Sequence, residues 1–101
     1  MYIKTKKMNE LILQWAEERG ILKPENANRQ ILKLFEECGE LAGAMAKNKH
    51  SEVVDAIGDI QVVLIILCKQ LGYDYEQCLV DAYNVIKERK GKLINGIFVK
   101  D

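Results

Sequence analysis

Six carboxylates fall between Glu36 and Asp59: Glu36, Glu37 and Glu40, then Glu52, Asp55 and Asp59. Like charges three or four apart on a helix repel by a few tenths of a kcal/mol per pair, so stability alone gives no reason to write them so close together. At 100° per residue Glu52, Asp55 and Asp59 lie within about 60° of one another, and the same stripe continues as Val62, Val63 and Ile66. The second group of acids therefore heads an apolar face. A carboxylate at the rim of a core costs several kcal/mol unless something pairs with it, and no lysine or arginine lies within one turn on that helix. Two facing helices that each bring clustered carboxylates suit a hard divalent cation such as Mg²⁺, which takes oxygen ligands and shares them with substrate phosphates. Di-iron chemistry wants a Glu-x-x-His pair on each of two helices. The chain has one histidine, His50, read as a surface residue in a loop. The competing readings are a solvated face, or ion pairs to a base elsewhere such as Lys33 or Lys87.

The far end of the chain carries the complementary charge. Asn84, Lys87 and, one turn on, Lys90 or Arg89 place a donor and cations on adjacent turns, suited to a row of phosphates. The competing reading is a helix end whose cations complement the macrodipole. Between Glu36 and Asp59 the acids outnumber Lys47 and Lys49 by four, and from Asn84 to Lys100 the bases exceed Glu88 by four.

Four helices must position these groups. Met8, Leu11, Ile12 and Trp15 have helical spacing, and GILKP, Gly20 to Pro24, ends that helix. In NRQILKLFEECGELAGAMAKN the apolar face centres near Phe35, Cys38 and Ala42, with Glu37 on its border and Glu36 and Glu40 further round. Trp15 and Phe35 read as core rather than base-stacking residues. Ser51 is the expected N-cap of a third helix running to Leu71, apolar nearly all round from Ile60 to Leu67 and so buried, and Gly72 stops it. Asp74 caps a fourth helix, YEQCLVDAYNVIKERKG, with Cys78, Leu79, Ala82, Val85 and Ile86 packed and Gly91 as its stop. Asn95-Gly96 between two β-prone runs predicts a short hairpin or extended tail. The expectation is an all-α, antiparallel four-helix bundle.

Residues 1–101 make one domain, about half of it hydrophobic, with 15 basic and 15 acidic residues. That balance gives no reason to expect nucleic acid or a membrane as partner. The longest apolar run, Val62 to Cys68, is too short to cross a bilayer, and MYIKTKKMNE lacks the apolar core of a signal peptide. Cys38, Cys68 and Cys78 form no C-x-x-C, which fits a reducing cytoplasm. VVLIILC is apolar on every side, so a second subunit is the economical cover for it.

The order of features, over about residues 8 to 91, resembles the MazG-like all-α nucleoside triphosphate pyrophosphohydrolases, a family that includes dimeric dUTPases, dCTP pyrophosphatases and phosphoribosyl-ATP pyrophosphohydrolase. Its motif is E-x-x-E on one helix and E-x-x-D on the next, set here against Glu36-Glu37-Cys38-Gly39-Glu40 and Glu52-Val53-Val54-Asp55-Ala56-Ile57-Gly58-Asp59. Members commonly place a glutamate three before the last aspartate; here that position is Ala56, and an acid stands at Asp55. The closing AYNVIKERKGKLINGIFVKD is similar to that of small stand-alone, phage-encoded members. The resemblance implies Mg²⁺, with Mn²⁺ able to substitute, bound through Glu37, Glu40, Asp59 and Glu52 or Asp55. It implies cleavage of an NTP or dNTP between the α- and β-phosphates to a monophosphate and pyrophosphate, with Glu36 or Glu37 as general base. Asn84, Lys87 and Lys90 would hold the departing phosphates, in a homodimer or homotetramer. The alternatives are a catalytically weak nucleotide-binding or regulatory module and a plain helical interaction protein. Nothing in the sequence identifies the base or the sugar.

Overall fold

The computed structural model describes residues 4–101. Residues 1–3, part of the stretch read as lacking a signal-peptide core, lie outside the described residues. Helix α1 spans Thr5–Glu18, a 3₁₀ turn Pro24–Asn26, α2 Ala27–Ala46, α3 His50–Leu71 and α4 Tyr75–Ile86; strands β1, Gly91–Ile94, and β2, Ile97–Lys100, close the chain. The fold is all-α with four helices and a C-terminal two-stranded antiparallel hairpin, as the hydrophobic spacing and the Asn-Gly pair predict.

The helix ends follow local chemistry. Asp74 accepts a hydrogen bond from the Gln77 N–H at 3.0 Å, the expected cap of α4. Gly72 ends α3 at φ 83°, a left-handed conformation that costs a side chain but not glycine. Asn95 and Gly96 both take positive φ, 53° and 80°, as a two-residue primed turn requires, and pair Leu93 with Phe98 across the strands. Two expected boundaries move. α3 starts at His50 with Lys49 as N-cap, so Ser51 caps nothing and His50 is an exposed helical residue rather than a loop one. Gly91 does not stop α4, which ends at Ile86; it opens β1, where an added Cβ would lie 2.7 Å from the Phe98 ring and against the Val99 carbonyl.

Packing centres on α3. Its long contact with α2 is the main seam of the molecule, and α1 lies along another side. Val63, Ile65 and Ile66 are buried, with Ile60, Val62, Leu64 and Leu67 partly so, which bears out the expectation of a covered α3. The face of α2 differs from expectation. Phe35 is 68% exposed and Cys38, Ala42 and Met45 face solvent, while Ile31, Leu34, Glu37, Leu41 and Ala44 meet α3 or the helix ends around it. The wheel centre is turned by about 90° because Phe35 and Cys38 outweigh Glu37 in any hydrophobicity count, whereas the seam selects the narrow Ala44 and Gly43 surface that lets two helices approach. Trp15, read as core, is 45% exposed.

Candidate active site

Glu37 is the one charged side chain among the described residues that the fold buries, at 5% exposure. It lies on the α2 face that meets α3, and its Oε1 is 3.4 Å from the ammonium of Lys33, one turn earlier on α2. The same ammonium is 3.4 Å from Glu36 Oε1. Glu37 Oε2 is buried with no hydrogen-bond partner. A buried, unpaired carboxylate oxygen is costly, and one half-exposed lysine shared between two acids answers only part of that cost. The ion-pair reading of these acids is thus partly right for Lys33. It is not so for Lys87, whose ammonium lies 5.9 Å from the centroid of the Tyr83 ring on α4.

Glu40 joins this group one turn on. Oxygens of Glu36, Glu37 and Glu40 all lie within 4.8 Å of one another. The negative charge of Glu37, with a smaller contribution from partial burial, pushes the Glu40 carboxyl above its ordinary value of 4.5. The charge of Glu36 and a hydrogen bond to Glu37 raise Lys33 in turn. Glu40 also borders a cavity of about 370 Å³ between α2 and α3, whose other walls include Glu52, Asp55 and Asp59. Antiparallel packing of α2 on α3 thus brings Glu40 to one hollow with the three acids of α3, lined also by Gly43, Ala44 and Ala56, residues too small to fill it. Ala56, where the resembling family carries glutamate, is buried in that wall. Asp55 and Asp59 stand on a ridge, since both also line a neighbouring cavity with Tyr75 and Ile12. Glu52 is exposed and 3.9 Å from Lys49, so a base does lie within a turn of it, just ahead of the helix.

An all-oxygen donor set with one orphaned buried oxygen fits a hard divalent cation and fits a softer, nitrogen- or sulfur-seeking metal poorly. Lys47 lines the acid hollow, but the residues expected to hold phosphates stand elsewhere. Asn84, Lys87 and Lys90 are exposed at the far end of α4 and line neither cavity that the acids border. The burial of Glu37 escaped the sequence reading, hidden by the strong apolar neighbours on the other face of α2.

A model described as the MazG-like family matches residues 31–97, the stretch that holds every one of these acids and α4. The chain belongs to the MazG-like family. It is 48% identical over 63 residues, 62% of this chain, to a protein of Haemophilus phage HP1 (strain HP1c1) named "Uncharacterized 18.2 kDa protein in rep-hol intergenic region". That match covers 39% of the phage protein, so this MazG-like chain spans well under half of the relative's length. No solved structure matches.

Proposed function

We propose that the protein is a Mg²⁺-dependent nucleoside triphosphate pyrophosphohydrolase. One observation carries the reading: a buried glutamate with an unpartnered oxygen, Glu37, at the centre of a carboxylate cluster that continues across a small-residue hollow to three acids on the facing helix. Family membership supports the same activity. Glu37 and Glu40 from α2, with Asp59 and Asp55 or Glu52 from α3, would hold the cation; Mn²⁺ has the same oxygen preference. The cation supplies neutralisation of phosphate charge and acidifies water. Glu36, exposed and next to buried Glu37, would take a proton from an attacking water, with Glu37 as the other candidate. Ala56 leaves room in the hollow where a glutamate would project, and Asp55, one residue back, brings its charge to the same wall.

Asn84, Lys87 and Lys90 would bind the departing phosphates. On one chain they stand apart from the acids, so the reading places them against the acids of a second copy, in a homodimer or homotetramer. The test is a screen of the eight common NTPs and dNTPs with Mg²⁺ and with chelator, with pyrophosphate and orthophosphate measured separately. Pyrophosphate as the first product, only with metal, is expected. Orthophosphate first would mean attack at the γ-phosphate and would overturn the reading.

A further inference from the structure

The acids leave a second hollow unused. A cavity of about 480 Å³ opens beside them, walled by Trp15 of α1, Asn26 of the 3₁₀ turn, Arg29, Gln30 and Lys33 of α2, and Gln70 of α3. Lys33 is shared, since it lines this cavity and holds Glu36 and Glu37. The hollow therefore borders the carboxylate cluster through Lys33. From Gln30 to Glu37 is about 10 Å along the helix axis, the span of a nucleoside from its base to its first phosphate.

The polar groups in its wall are unevenly satisfied. Gln70 is 4% exposed, and its Nε2 donates to the Ile21 carbonyl at 2.9 Å. A carbonyl accepts only, so this contact fixes which end of the amide is which. Gln70 Oε1 is left as a buried acceptor with no partner. Gln30 Nε2 reaches the Val63 carbonyl at 3.5 Å, a long bond that a better acceptor would displace. Trp15 supplies a flat wall. Arg19, which does not line the cavity, stacks 4.5 Å from the ring centroid and donates to the Trp15 carbonyl at 3.0 Å, so the indole is braced while it borders the hollow. A flat aromatic wall, an orphaned acceptor and neighbouring amides match a heterocyclic base better than a peptide or an aliphatic ligand.

Resting on the hydrolase reading above, we propose that this cavity binds the nucleobase of the nucleotide, and that the Gln70 carbonyl favours bases with an exocyclic amino group over their keto counterparts. Cytosine and uracil have nearly the same shape but differ at C4, as adenine and hypoxanthine differ at C6. The amino member can donate to Gln70 Oε1, whereas the keto member opposes acceptor to acceptor and leaves a buried group unpaired.

Trp15 is the only tryptophan of the chain, so its fluorescence reports this cavity directly. The probes are CMP, UMP, AMP and IMP with Mg²⁺, which lack the pyrophosphate bond and cannot turn over. Saturable quenching is expected, with CMP tighter than UMP and AMP tighter than IMP by about tenfold or more. In Gln70→Met both ratios should fall toward one while quenching persists. These wild-type ratios need no variant, so a misfolded Gln70→Met leaves the proposal exposed to them. No saturable quenching, or equal affinity within each pair, overturns it. So does a folded Gln70→Met that keeps both ratios. Pyrophosphate release without quenching would refute the base pocket alone, and quenching without pyrophosphate release would refute the hydrolase reading alone.

Discussion

The α2–α3 seam and the α4-hairpin end solve opposite problems. The seam puts a carboxylate into a packed helix contact, where it lowers stability, close to a hollow lined by small residues and acids. The other end has good local chemistry, with a capped helix and a primed turn, but buries nothing: every residue from Gln77 to Asp101 is exposed. Leu79, Tyr83, Val85, Leu93, Ile97 and Phe98 each keep half or more of their surface. A lone two-stranded hairpin is marginal in water, and apolar surface of this extent marks a contact site. The chain's radius of gyration, 16.0 Å, exceeds the roughly 13 Å of a compact domain of about 100 residues. On the reading proposed above, one region gives up stability for chemistry and the other meets a second copy of the chain. That assignment is our proposal for the oligomer, and the opposite net charges of the two regions suit it.

The comparison breaks first at the acids. Glu40→Gln and Asp59→Asn should each lower turnover by at least about 100-fold. Melting in chelator should stay level or rise, because a repelling charge is gone. A clear drop in melting temperature would make these acids structural ion-pair partners. Next in size is association. Light scattering at low micromolar concentration should give a multiple of the 11.6 kDa chain mass. Placing aspartate at Leu79 and Tyr83 should weaken assembly by roughly 2 kcal/mol or more, about 30-fold. A monomer that still hydrolyses nucleotide would show that one chain completes the site unaided.

Smaller effects sharpen the picture at single residues. Gly91→Ala drives a methyl into the Phe98 ring and should cost the hairpin about 1–3 kcal/mol with the helical circular dichroism intact. Asp74→Ala removes the α4 cap and should cost about 1 kcal/mol, read by urea unfolding. The last is a pH effect in metal-free protein. Glu40 holds its proton more tightly folded than unfolded, so the native state binds more protons between 4.5 and its higher folded value. Stability should therefore rise as pH falls through that window. Glu40→Gln should remove that part of the slope.

Much of this division was legible in the residues. Helix number, the caps at Gly72 and Asp74, the Asn95-Gly96 turn and the buried run of α3 each have a local cause that a sequence displays. So does the acidic stripe at Glu52, Asp55 and Asp59. The orientation of α2 was not legible, since it depends on which surface lets α3 approach. Phe35 and Cys38 looked like core for want of that knowledge, and Glu37 looked like a border residue. The position of Trp15 beside a polar hollow likewise depends on Gln70, more than fifty residues away, which no local pattern connects to it.

Thermal unfolding with and without Mg²⁺ tests the central claim, that the seam holds its acids for a cation. A ligand bound only by the folded state raises the melting temperature in proportion to the logarithm of its concentration above Kd. The account predicts such a rise for the wild type, no rise with Na⁺ at equal ionic strength, and loss of the rise in Glu40→Gln. A melting temperature indifferent to Mg²⁺, or one that rises equally in Glu40→Gln, would contradict it.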